Sequence, residues 1–123
     1  MFNDAAVGYY KRVSETTITG GELLVKLLEG ADLYMQQMQG AIEQREIERK
    51  ADRCTLALAV IDELDRALSR ELSPEVCDRM HALYGFVRER LMIGSLEMNV
   101  TRIGEARRVI AIVTDANRRA LRG

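Results

Sequence analysis

Tryptophan is absent from this chain, proline and histidine occur once each, and phenylalanine and cysteine twice. So little aromatic and turn-forming character argues against a β-sandwich. The lone His81 cannot supply the paired Glu-x-x-His motifs of a di-iron bundle. It reads as a surface or boundary residue. Cys54 and Cys77 are too few and too widely spaced for a zinc motif. Ser69, Ser73, Ser95 and the two thiols lack a histidine base in any recognisable pattern. Gly20–Gly21 is followed by Glu22, not by the Lys-Ser/Thr of a phosphate loop. The expectation is a protein with no enzymatic activity, no cofactor and no metal.

Charge and long apolar runs are equally scarce. The formal net charge of −1 makes no global case for nucleic acid, an anionic membrane or an acidic substrate. The longest uninterrupted apolar run, Leu56–Ile61, is six residues, against the roughly 20 that cross a bilayer. The opening MFNDAAVGYYKR has no basic region followed by an apolar core, so no secretory signal is read there. A reducing cytosol with two buried free thiols is the expectation.

What remains is rich in alanine, leucine, glutamate, arginine and methionine, with helical periodicity through most of the chain. The fold class expected is all-α: an antiparallel up-down-up-down four-helix bundle over residues 19–123, preceded by a docking segment at 1–18. That segment is too apolar for a solvated tail, with Val7, Tyr9, Tyr10, Val13 and Ile18, yet too short to stand alone as a helix.

The first helix is expected to be capped by Thr19, with Glu22 completing a capping box, and to run to about Gly40, broken there or by the polar stretch around Glu43–Glu46. A second begins near Ile47. Ser73–Pro74 stops it and starts a third, which frays around Gly94–Ser95; Asn99 caps the last. The core rows are Leu24, Leu27, Leu28, Ala31 and Met35; Ile47, Ala51, Cys54, Leu58, Ile61, Leu64 and Leu68; Val76 or Cys77, Met80, Leu83, Tyr84, Val87 and Leu91; and Ile103, Ala106, Ile110, Val113 and Asn117 or Ala120.

Two features exceed what a core needs. The first helix is apolar almost all round, with Leu23, Val25, Leu33 and Tyr34 off its main face and Gly30 in its interior. The second carries a side stripe of Leu56, Val60 and Ala67. The last helix is locally +4, with six arginines between Arg102 and Arg122 against Glu105 and Asp115. It has no aromatic for base stacking, so a solvated or partner-matched face is favoured over nucleic acid. The methionines are expected to fill the core.

Five stretches in this order resemble the flagellin-specific secretion chaperones, the FliS family. They are Tyr9–Tyr10 through Glu15–Thr16, Leu27–Leu28–Glu29–Gly30–Ala31, Val60–Ile61–Asp62–Glu63–Leu64, Leu83–Tyr84 and Asn99. Leu28 stands where the family has tyrosine, Thr19–Gly20 where it has Ala/Ser-Pro, and no aromatic lies near the C-terminus. The resemblance implies a helical bundle in the bacterial cytosol that binds the disordered C-terminal segment of flagellin. It further implies a block on premature polymerisation, delivery to the flagellar export apparatus, and an N-terminal segment lying on part of the client surface in the free state. The export gate and a regulatory co-chaperone are further candidate partners; a monomer or weak homodimer is expected, without membrane insertion. The client groove is placed on Tyr9, Tyr10, Leu27, Leu28, Gly30, Ala31, Tyr34, Leu56 and Val60. A scaffold homodimer using the same apolar surface for self-association is the alternative.

Overall fold

Serine and asparagine side chains start two of the four helices. In the computed structural model, which describes residues 20–68 and 73–123, the helices are α1 (Gly20–Glu43), α2 (Ile47–Ala67), α3 (Pro74–Glu97) and α4 (Val100–Arg122). Ser73 keeps extended dihedrals and its Oγ accepts the Val76 N–H at 3.3 Å, with Pro74 in the first turn. Asn99 Oδ1 accepts the N–H groups of Thr101 at 2.9 Å and Arg102 at 3.4 Å. Thr19, the expected cap of α1, lies outside the described residues.

The turns after α1 and α3 close in the same way. Arg45 (φ 56°) and Met98 (φ 53°) adopt the left-handed conformation. The following N–H then reaches back five residues, Glu46 to the Ala41 carbonyl at 2.8 Å and Asn99 to that of Gly94 at 2.9 Å. Connections this short make sequential helices antiparallel. Each helix packs against its neighbours in sequence, α1 closes the ring on α4, and α1 also reaches α3 across the middle.

The four core rows meet inside: Leu28, Met35, Met38, Ile61, Leu64, Tyr84, Leu91, Ile103 and Ile110 are fully buried. No strand occurs among the described residues. Cys54 is buried, Cys77 half-buried, and both thiols are free. Burial pushes the Cys54 thiol above its ordinary value, against the opposing pull of Ser95 and Lys50.

One helix end takes the later of its two expected breaks and one differs from expectation. α1 runs past Gly40 to Glu43 because Ala41 and Ile42 are buried behind the glycine, and that packing outweighs the roughly 1 kcal/mol a helical glycine costs. α3 does not fray at Gly94, which is buried where α4 comes closest. A β-carbon there would stand 2.5 Å from Ile103 Cδ1 and 3.1 Å from Arg102 Cβ. Gly94→Ala should therefore lose about 1–2 kcal/mol, the strain of overpacking exceeding the gain in helix propensity. Urea denaturation checks this, and a stabilised variant would show that α4 yields freely. Four positions of the expected core rows are exposed: Ile47 and Ala51 lie in the first turns of α2, before the buried row begins at Cys54, and Val76 and Leu83 lie beside the row on α3 whose centre is held by Tyr84, Val87 and Leu91. Met92, also expected in the core, is exposed on α3.

Candidate functional site

The wide apolar arc of α1 has a packing reason. The helix packs along both α2 and α4 and also reaches α3, and it buries Val25, Leu27, Leu28, Ala31, Met35, Met38, Ala41 and Ile42. Of the expected groove residues, Leu27, Leu28, Ala31 and Val60 belong to this core and offer almost no surface. Gly30, Tyr34 and Leu56 are half-buried, with Tyr34 resting on the core. Helical spacing sets Gly30 and Tyr34 on the α2 side of α1 and Leu56 on the α1 side of α2, so these three share the outer edge of one seam. Tyr9 and Tyr10 lie outside the described residues.

One alanine on α2 breaks the burial pattern. Ala59 is two residues from both Ala57 and Ile61, so helical geometry turns it toward the opposite side, yet it is fully buried. Its flanking positions Thr55, Leu56, Asp62 and Glu63 are each half-buried. The outer face of α2 is thus less open than a solvated helix face.

The basic last helix is matched from within. Arg107 donates to both oxygens of Asp32 on α1, at 2.8 and 3.1 Å, and to Gln39 Oε1 at 2.9 Å. Gln39 donates onward to the Val100 carbonyl at 3.1 Å. The Asp32 hydrogen bond holds the Arg107 guanidinium above its ordinary value. Arg118 reaches Glu29 at 2.7 Å, Arg102 reaches Glu105 at 2.9 Å, and Arg119 pairs with Asp115. Arg108 and Arg122 have no hydrogen bond or ion pair among the described residues. Four of six arginines are therefore spent on the bundle itself.

A second polar cluster joins α2 to α3. Arg88 donates to Asp62 at 2.9 Å and to Asp65, whose two oxygens also lie 2.8 and 2.9 Å from His81 Nδ1. With Arg66 these residues line a cleft of about 390 Å³. Burial alone would raise the Asp65 carboxyl; the Arg88 and His81 hydrogen bonds outweigh it and hold the group below its ordinary value. The buried Tyr84 phenol beneath is pushed up to about 12, first by burial and then by the Asp65 charge. His81 is thus surface-exposed but not isolated. Its carboxylate partner comes from another helix, 16 residues earlier, which spacing along α3 could not reveal.

No group of histidine, cysteine and carboxylate residues suited to a metal ion occurs among the described residues. No described helix is long and apolar enough to cross a membrane.

The family model described as "Flagellar protein FliS" matches residues 2–122. Among similar proteins is the flagellar secretion chaperone FliS of Bacillus subtilis (strain 168). It is 28% identical over 112 residues, covering 91% of this chain and 83% of the relative. The match takes in all four helices, both capped turns and the segment before Gly20, and the chain belongs to the FliS family of flagellar proteins.

Proposed function

We propose that this chain is a flagellar secretion chaperone of the bacterial cytosol, that its client is the disordered C-terminal segment of flagellin, and that it delivers this client to the export apparatus. The family match across residues 2–122 carries the reading. A segment that folds as it binds loses conformational entropy and must recover it from apolar area and backbone hydrogen bonds. A rigid bundle offering a long helix-lined seam suits such a client, because only one partner then has to be ordered. The chemistry involves no bond making. The work is to cover apolar surface that would otherwise polymerise.

The client groove is assigned to the outer edge of the α1–α2 seam, at Gly30, Tyr34 and Leu56. Leu27, Leu28, Ala31 and Val60 support it from below as core. Residues 1–18, with Tyr9 and Tyr10 as anchors, dock on the same outer surface when no client is present. The burial of Ala59 and its flanks supports an occupied face there. Displacing that segment reduces the apparent client affinity by the cost of undocking.

Calorimetry with a flagellin C-terminal peptide tests the assignment. Tyr34→Glu with Leu56→Glu should weaken binding at least tenfold when measured well below the variant's melting transition, which drops by several degrees because both side chains are half-buried. Unchanged affinity would move the groove elsewhere. No binding by the parent chain, together with a concentration-independent dimer in light scattering, would replace the chaperone reading with self-association.

A further inference from the structure

The best-exposed apolar side chains of the described bundle include three on the other edge of α2. Leu96 is 86% exposed, Met92 61% and Ile47 55%. They belong to one surface. Ile47 and the exposed Ala51 are one turn apart on α2, as are Met92 and Leu96 on α3. Lys50 Nζ donates to the Ser95 carbonyl at 2.9 Å, tying the first turns of α2 to the end of α3. Beneath, Cys54 is buried and Leu58 packs half-buried on the core, so the surface has a firm apolar floor.

Its rim is acidic. Glu48, Asp52 and Glu89 are exposed around it. Glu48 has no hydrogen bond or ion pair among the described residues. Asp52 and Glu89 reach only the arginine next in sequence, at 3.5 and 3.4 Å. Lys50 is held to the Ser95 carbonyl at the α2–α3 contact and keeps its charge, which the three carboxylates outnumber. Pairs between adjacent exposed residues are weak and screened, leaving these carboxylates available to an incoming cation.

We propose that the α2–α3 edge around Ile47, Met92 and Leu96 is a second docking surface, and that its occupant is a basic amphipathic helix of another protein. The apolar side of that helix lies over Met92 and Leu96, and its lysines or arginines reach Glu48, Asp52 and Glu89. From Ile47 to Leu58 the edge runs about 17 Å, three turns of helix. The unbranched Met92 can adjust to different apolar residues. A second copy of this chain is disfavoured, since a two-fold contact through this surface would bring like-charged rims together. Like charge also disfavours an anionic lipid surface. The proposal goes beyond the chaperone reading, because this edge of α2 is not the one assigned to the flagellin segment.

The probe is a designed helical peptide of about 14 residues with leucine on one face and lysine on the other, titrated into the full chain and followed by NMR. Shifts confined to residues 47–58 and 85–96 are expected, weakening with added salt. Met92→Ser with Leu96→Ser should reduce affinity at least tenfold without moving the melting temperature, because both side chains are mostly solvent-exposed. Glu48→Gln with Glu89→Gln should weaken binding and flatten its salt dependence. Binding of the flagellin peptide should be the same in all these variants, so either surface can fail without the other. Four results overturn the proposal: retained affinity in the serine variant, equal binding by a leucine–glutamate peptide, shifts centred on other helices, or a dimer of the chain alone that the serine variant abolishes.

Discussion

Leu28→Ala is expected to cost the bundle about 3–5 kcal/mol, the largest loss from any single change considered for this chain. The side chain is fully buried on α1, which packs along both α2 and α4 and also reaches α3, so the cavity would open where no single neighbour can collapse into it. A domain of this size has roughly 6–15 kcal/mol to lose, so the variant should still fold but melt at least 10 °C lower. Thermal denaturation followed by circular dichroism measures it. A loss below about 1 kcal/mol would mean that Leu28 faces a space the chain can close, and the position would return to the groove. The outcome bears on function because Leu28 stands where the family places a tyrosine. As a core leucine it leaves the outer seam to Gly30, Tyr34 and Leu56.

Periodicity made the helices legible because most rows of this bundle obey one rule, the burial of positions three and four apart. Ser73–Pro74 and Asn99 were legible for a local reason, since a cap is satisfied by its own neighbours in sequence. The errors are of another kind. Whether Gly94 breaks a helix or admits one depends on Ile103, a residue on the next helix, and composition carries no trace of that approach. The apolar surplus of α1 was visible, but its meaning was not. A helix with three partners and a helix with one partner and a client groove show the same wide arc.

The charged residues were least legible. Six arginines on α4 look like a basic stripe in the sequence, and four are neutralised in the fold, two of them by Asp32 and Glu29 about 75 to 90 positions earlier. Acidic α1 beside basic α4 is a complementary pair that fixes which helices are neighbours as well as how they are oriented. The same holds for the α2–α3 edge. Helical spacing counts Ile47 toward the core and composition counts Met92 as core filling, and only the fold shows both exposed, with Leu96, beside an acidic rim.

Asp65→Ala tests the polar cross-link between α2 and α3. At pH 7 the variant should be about 2–3 kcal/mol less stable, because the carboxylate is only 10% exposed and Arg88 and His81 both lose their shared acceptor. Asp62 remains for Arg88, so the guanidinium is not stranded and the loss stays at the lower end for a broken buried pair. The pH dependence carries a definite sign. The folded-state carboxyl titrates below its ordinary value, so its contribution is complete above about pH 5, where the unfolded carboxyl is almost fully ionised, and is lost as pH falls through the lowered folded value. The gap between parent and variant should therefore be constant from pH 7 to 5 and narrow toward pH 3. Urea midpoints across that range decide it. A gap that persists undiminished at pH 3 would mean that Asp65 acts by packing on Tyr84 rather than by charge, and the α2–α3 seam would then be held by its apolar contacts alone.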